Sequence, residues 1–493
     1  MKTDVCLVSP AGRANEPRLP LGLMYIAACL EREMLITEIV DVKISPYKKI
    51  SDELKQKIDE EIIAKIIKIE PAIVGITCLV TEVNEVLDIC REVKRKLKDT
   101  KTVVGGIHPT MYPEDFLYEN SPVDYVVLGE GEYTTCDLVK AIQSGSSIED
   151  VAGIALFDGK KLHRTKQRSV IKNLDEIPFP AYEKVDMEYY TKPSIYAIRT
   201  MLLSTLHIFT SRGCPYQCTF CVNKNLAEIM NSKTSVRSRS VKNVIDEIEY
   251  LARRYKIDGF YIYDDTFALK KDYVDEFCRE LLARKLGLIW AAETRVNLIS
   301  KEMIKTMSDA GCVQLDFGVE SGSQQILDRI KKGIKISDIK NIFRVCRELG
   351  VRTFANFMFN TPGETEDDVK KTYALAREIK AHNYNFGITT PFPGTDLYDN
   401  VRPRLTVAEY HLFATAKNTL ADPRFKLAKH DLNLEKLAKN ANVICNSVWK
   451  RMSFVFDAAY MARVMKSSRK MEYVLAIFSL IGLALNRVRK GFV

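Results

Sequence analysis

Apolar and polar positions change rhythm along the chain. Over its first 130 residues, short β-branched runs alternate with stretches whose apolar residues recur every three to four positions. The runs VCLVS (5–9), TEIVDV (37–42), AIVGITCL (72–79), TVVGG (102–106) and DYVVLG (124–129) predict strands. LGLMYIAACLERE and VNEVLDICREVKRKLK predict amphipathic helices between them. Such alternation predicts a doubly wound parallel sheet, whose ligands sit beyond the carboxyl ends of the strands. Those ends read SPAGR, DVKISP, TCLVT, GGIHPT and GEGE: small, glycine-rich or hydroxylated, as backbone close to a large ligand has to be.

A hairpin pattern, GIALFDGKKLHRT, and a proline-containing linker, LDEIPFPAYEKV, follow. A second alternation then begins, with strands expected at HIFTS (207–211), GFYIYDD (259–265), IWAAETR (289–295), VQLDFGVE (313–320), TFANFMF (353–359) and YNFGITT (384–390). Six βα units in this length predict a partial, TIM-like α/β barrel with its chemistry at the C-terminal strand ends, where Asp264, Asp265, Arg295 and Glu320 fall. Beyond residue 401 the pattern is helical. The expected organisation is a doubly wound domain at 1–150, a linker with a small hairpin at 151–195, a barrel at 196–400 and a helical region at 401–493.

Composition changes this picture in two places. The net charge of +9 is concentrated at the C-terminus, where nine basic residues face two acidic ones from Lys450 onward. There YVLAIFSLIGLAL (473–485) runs thirteen residues without a charge, short of the roughly twenty that a membrane span needs. Two readings stand: an interfacial helix against anionic lipid, or an ordinary helix packed on the barrel. SFVFDAAYMARVM (453–465) can pair with it as an apolar hairpin, and either element can line a pocket for a greasy substrate. The second feature is cysteine. Of twelve, nine are scattered singly and read as small buried hydrophobes, so no secreted disulfide pattern exists. The opening MKTDVCLVSP is too short an apolar run for a signal peptide, and a reducing cytoplasm is the expected location, with peripheral membrane association through the tail as its variant.

The other three, Cys214, Cys218 and Cys221, stand at C-x3-C-x2-C spacing just after the first barrel strand. Structural zinc wants four ligands, and neither His nor Cys follows within twenty residues of Cys221; His207 precedes the triad inside a strand. Three thiolates suit an iron–sulfur cube with one iron left free. CPYQCTFC resembles the signature of the radical S-adenosylmethionine (SAM) superfamily. The resemblance implies a [4Fe–4S] cluster on Cys214, Cys218 and Cys221, with SAM chelating the fourth iron and Phe220 near its adenine. It further implies reductive cleavage of SAM to a 5′-deoxyadenosyl radical, with electrons from a donor such as ferredoxin or flavodoxin. FYIYDDTF, AAETRVN, FGVESGSQ and NFMFNTPGETEDD resemble the motifs of later barrel strands, giving Asp264, Asp265, Arg295, Glu320, Ser321, Pro362 and Gly363 as SAM or substrate contacts. Asn356 and Asn360 depart from that pattern, which has glycine at both positions.

The front segment resembles the cobalamin-binding domain that precedes many radical SAM barrels, in the family that includes anaerobic magnesium-protoporphyrin ester cyclases and hopanoid methylases. VGITCLVT, VGGIHPTMYPEDFL and VDYVVLGEGE carry the likeness and imply Thr77, Thr81, Gly105, Gly106, His108, Gly129, Glu130 and Gly131 as corrinoid contacts. Where relatives ligate cobalt through D-x-H-x-x-G, this chain has DVKISP, with Lys43 in the histidine place. A protonated lysine has no lone pair for a metal. No imidazole from this loop is therefore expected on cobalt, and His108 is expected as a contact only. The alternative is a front domain that keeps the fold without binding corrin. The resemblance implies methyl transfer from cobalamin to an unactivated carbon of a hydrophobic, lipid-like or polycyclic small molecule. Radical cyclisation and a non-catalytic iron–sulfur or corrinoid carrier are the alternatives, and nucleic acid is not an expected partner.

Overall fold

The computed structural model describes residues 3–489 apart from 46–47, 49, 233–235, 401–404, 415–421, 447–457 and 468. The chain divides into two compact units. One comprises Met1–Met187, Phe220–Ser235 and Pro391–Pro423, the other Glu188–Thr219, Val236–Thr390 and Arg424–Val493.

In the first unit, β1 (Val5–Val8), β2 (Thr37–Val40), β3 (Ile73–Thr77), β4 (Lys101–Gly105) and β5 (Tyr125–Val127) form a parallel sheet in the order β2-β1-β3-β4-β5. The expected hairpin, β6 (Ile154–Phe157) and β7 (Leu162–Arg164), extends it antiparallel beyond β5. Every residue of β1 is buried, as a central strand between helical layers requires. The order reverses between β1 and β3, which makes that edge the switch point of a doubly wound fold. Gly106, with φ +111°, is required by the fold itself: a Cβ there would lie 2.9 Å from Cys78 O, because Cys78 N donates to Gly105 O at 2.8 Å and draws the β3 and β4 loops together.

In the second unit, β8 (Thr205–Ile208) leads into a two-residue ribbon, β9 (Ser211–Arg212) paired with β10 (Arg237–Ser238). β11 (Gly259–Ile262), β12 (Ile289–Thr294), β13 (Cys312–Glu320), β14 (Arg352–Phe359) and β15 (Asn383–Ile388) continue a six-stranded, all-parallel sheet in sequence order from β8. Alternation decides its two faces. Phe260 and Trp290 stack on one, against Phe277 of the helix Lys271–Ala283. Tyr261, Glu293 and Asp316 therefore point to the other, concave face.

The β15 edge of this sheet is sealed. Helix Leu434–Cys445 runs beside β15, and Asn442 and Asn446 spend both ends of their amides on the strand's free backbone. Phe386 N donates to Asn442 Oδ1 (3.1 Å) and Asn442 Nδ2 to Phe386 O (3.0 Å); Tyr384 N donates to Asn446 Oδ1 (2.9 Å) and Asn446 Nδ2 to Tyr384 O (2.8 Å). Two side chains one helical turn apart thus imitate a seventh strand. Farther on, helices Ala458–Lys466 and Lys470–Arg489 pack on the barrel. Tyr460 donates to Leu202 O (2.9 Å), and Tyr473 Oη lies 2.5 Å from Asp258 Oδ2 while accepting from Ser204 N (2.9 Å). The tail thus packs on the barrel, as one of its two expected readings has it; residues 453–457 of the expected hairpin lie outside the described residues. No helix among the described residues is long and apolar enough to cross a membrane.

Candidate active site

β8 delivers the cysteine loop, and Asp264 fixes where that loop starts. Buried two residues beyond β11, Asp264 accepts from Thr210 N (2.7 Å), Ser211 N (3.1 Å), Ser211 Oγ (2.7 Å) and the Thr210 hydroxyl. Burial pushes its carboxyl up and these four hydrogen bonds pull it back down, leaving it raised. Its acceptor positions are filled by the loop, whereas Asp265 beside it is exposed. Arg239, ion-paired with buried Glu247, adds a second tether through Phe209 O at 2.9 Å.

From Gly213 to Cys221 the chain has neither helix nor strand. Cys218 is buried, and Cys214 and Cys221 are half-buried, as is Phe220. Cys214 Sγ lies 3.7 Å from Thr266 Oγ1, and Cys218 Sγ 3.8 Å from the guanidinium of Arg295. Arg295, one residue past β12, stacks 3.5 Å from the Tyr216 ring centroid and donates to Lys332 O. Lys332 Nζ reaches Glu320 Oε1 at 2.6 Å, with both side chains less than one-tenth exposed. Glu320 ends β13 at φ +65°, where the register against β14 slips. That conformation costs a non-glycine residue about 1–2 kcal/mol and is held by the ion pair. The next residue, Ser321, is also buried, its hydroxyl accepting from Ser323 N at 3.1 Å. The structure thus joins Cys218, Arg295 and Glu320, three residues singled out by sequence, through Lys332, with Tyr216 stacked on Arg295; neither of these two was singled out.

Among the described residues no three His, Cys, Asp or Glu side chains are gathered at metal-holding distance, these cysteines included. The donor set fits an iron–sulfur cluster in kind: three thiols within eight residues, on an irregular loop, two of them reachable from solvent and the third beside a guanidinium. The isolated cysteines differ. Burial pushes the thiols of Cys6, Cys90, Cys278 and Cys346 up to about 12, as inert core residues.

After β14, Asn360 adopts φ +63°, a region that asparagine tolerates better than other residues with a side chain. Its amide donates to Thr389 O (2.9 Å) and Phe425 O (2.8 Å) and accepts from Leu427 N (2.8 Å) and Ala428 N (3.2 Å). Asparagine in a glycine position therefore keeps glycine's backbone and adds a clamp on residues 425–428. Asn356 is half-buried and accepts from Asn385 Nδ2 at 3.3 Å. Pro362 O accepts from Arg329 at 2.6 Å, and Gly363, at φ +68°, leaves the space that guanidinium fills.

Glu364 is fully buried, accepts from Asn360 N at 2.8 Å and lies 3.4 Å from His430 Nε2. Burial raises its carboxyl to about 7, with Asp368 adding a smaller push; burial lowers His430. A folded-state proton on Glu364 held to about pH 7 but released near pH 4.5 in the unfolded chain makes stability fall as pH rises across that window. Glu364→Gln removes this slope. Thermal melts from pH 5 to pH 8 should show the variant gaining on the parent by about 3 kcal/mol; parallel curves would refute the assignment.

On the concave face, the Tyr261 hydroxyl lies 2.9 Å from Asp316 Oδ2 and 3.1 Å from Glu293 Oε1. Gln314 donates to Asp316 Oδ1 (2.8 Å), and Arg199, over the Phe354 ring at 4.3 Å, approaches Asp316 to 3.5 Å. Burial, then the neighbouring Asp316, raises Glu293 to about 7, and burial pushes Asp316 up as well. Sequence reading missed this group, although Gln314 and Asp316 on alternate positions of VQLDF, and Glu293 within the apolar run of the preceding strand, were its visible signal.

In the first unit, His108 is buried, its Nε2 3.0 Å from Asp115 Oδ2, which also accepts from Tyr410 Oη at 2.7 Å. That nitrogen is therefore engaged within the fold. Lys43 sits 3.0 Å from Asp41 Oδ1 and donates to Arg13 O at 2.9 Å, a charge neutralised in place. Thr77 is half-buried and Thr81 exposed. A Cβ at Gly105 would meet Val127 in ordinary contact at 3.7 Å, and Gly131 admits Ile26 at 2.9 Å from a hypothetical Cβ. Gly129 and Glu130 line a cavity of about 320 Å³, together with Thr110, Tyr133, Arg164 and Ser169.

Comparison with known proteins decides the affiliation. Residues 208–376 match the radical SAM superfamily and residues 13–139 the B12 binding domain. An uncharacterized methyltransferase of Pyrococcus horikoshii is 31% identical over 430 residues, 86% of this chain and 87% of that one. The chain belongs to the B12-binding-domain radical SAM family. The anaerobic magnesium-protoporphyrin IX monomethyl ester cyclase of Rubrivivax gelatinosus is 30% identical over 72% of this chain and 63% of its own. In fold, the chain resembles the radical SAM methyltransferase TsrM from Kitasatospora setae, with TM-score 0.63 and 20% identity, covering 81% of this chain and 75% of that one. This radical SAM protein is an enzyme, its two matched families are named for SAM and for B12, and the TsrM structure carries cobalamin and a [4Fe–4S] cluster.

Proposed function

We propose that the enzyme methylates an unactivated carbon of a small molecule with a hydrophobic, lipid-like or polycyclic body. The observation that carries this is the three-cysteine loop beside Arg295, in a chain that also matches a B12 binding domain at residues 13–139 and most of whose length is matched by a methyltransferase relative. When bound, the cofactors supply one-electron cleavage of SAM and a transferable methyl group.

In this reading Cys214, Cys218 and Cys221 hold the cluster. Phe220, Arg295, Glu320, Ser321, Pro362 and Gly363 line the SAM end, and Asp264 acts by positioning the loop. Thr77, Thr81, Gly105, Gly106, His108, Gly129, Glu130 and Gly131 face the corrinoid. With Lys43 paired to Asp41, the DVKISP loop offers cobalt no ligand. Glu293 and Asp316, sharing the Tyr261 hydroxyl on the concave face, suit a substrate that also carries a polar group. Ferredoxin or flavodoxin in a reducing cytoplasm is the fitting electron source.

A second reading, radical cyclisation, is favoured by the likeness to the ester cyclase. Anaerobic reconstitution with iron, sulfide, cobalamin and SAM separates the two: methylation adds one methylene to the product mass, and cyclisation removes hydrogen. Failure to form 5′-deoxyadenosine would overturn both.

A further inference from the structure

Helix Lys470–Arg489 carries two apolar stripes on opposite sides. Tyr473, Ala476, Ile477 and Leu480 meet the barrel core beside Leu202 and Ile289. Met471, Val474, Leu475 and Phe478 repeat the same spacing on the other side and are 65%, 38%, 63% and 67% exposed. Met465, on the preceding helix, is 66% exposed. Packing on the barrel and presenting an apolar face are thus simultaneous properties of one helix.

Positive charge gathers at the start of that stripe. Arg469, paired with Glu472 at 3.1 Å, donates to Thr191 and to Tyr255 O, which brings the helix start beside exposed Lys256, and Lys470 opens the helix itself. In sequence, Arg487, Arg489 and Lys490 follow the apolar run, and Glu472 is the single acid between Lys470 and Lys490.

We infer that this face docks the enzyme on an anionic phospholipid surface, with the helix lying along the interface. Apolar side chains enter the acyl boundary, and the flanking cations meet lipid phosphates, each worth about 1 kcal/mol near such a surface. A second copy of the chain is a poorer occupant, because a two-fold contact would set the same cations against each other. This inference goes beyond the proposed methyl transfer and does not depend on it.

The test uses the full chain, purified anaerobically, in flotation with phosphatidylcholine vesicles and with vesicles containing about one-third phosphatidylglycerol. Binding should be about tenfold stronger or more to the anionic vesicles and should weaken with salt. Leu475→Gln with Phe478→Gln should reduce it about tenfold or more while leaving thermal unfolding unchanged, since the packed stripe is intact. Equal binding by the variant, or no flotation of the parent, would overturn the inference. So would a dimer in sedimentation velocity that the variant abolishes, which would assign the face to a second copy.

Discussion

Replacing Cys218 with alanine should leave a folded chain that neither retains iron and sulfide nor forms 5′-deoxyadenosine from SAM. The sulfur is the only atom the substitution removes, and it is the one Arg295 approaches at 3.8 Å. The loop is fixed independently, by Asp264 on Thr210 and Ser211 and by Arg239 on Phe209 O. Cleavage should therefore fall by more than about 10³-fold with little change in the melting temperature, because the chemistry resides in the cofactor that the thiolates hold. Cys6→Ala is the control: that thiol is buried in β1 with its proton tightly held, so only stability should change. Iron and sulfide analysis with product chromatography reads both variants. A Cys218 variant with full cluster content would remove the basis of the site.

The second large effect is expected at Glu320. Alanine there removes the carboxylate that pairs with the Lys332 ammonium, whose side chain is less than one-tenth exposed. Removing one partner of a buried pair costs about 3–5 kcal/mol. Urea unfolding should register that loss, and Glu320→Ala should also disturb Arg295, which rests on Lys332 O. Glu320→Gln keeps a hydrogen-bond acceptor for Lys332 and should recover part of the stability. If SAM affinity nevertheless stays depressed in the glutamine variant, the carboxylate contributes to binding as well as to the fold; if affinity returns with stability, its role is support alone.

Much of this architecture was written in the periodicity. Both parallel sheets follow from β-branched runs separated by amphipathic helices, and the GIALFDGKKLHRT hairpin was equally plain. The triad was legible because its spacing is local. What sequence could not supply was contact between distant positions. Within CPYQC nothing local marks Tyr216 as the residue on which Arg295 stacks, and Lys332 lies in a turn whose partner is twelve residues back. Asp264 read as a ligand contact, since nothing local reveals that Thr210 and Ser211 occupy its oxygens. Asn360 is the inverse case. Its departure from glycine marks a bond made to residues 425–428, some 65 positions later.

The two asparagines that face β15 have a consequence for evolution of the chain's length. An incomplete barrel has a raw border, and any neighbouring molecule with an extended segment is a candidate to finish it. Asn442 and Asn446 answer from within the same polypeptide, without adding another strand. The C-terminal region is thereby tied to solubility: whatever else it acquires or loses, the turn bearing those amides is the hem that keeps the sheet from unravelling into its neighbours.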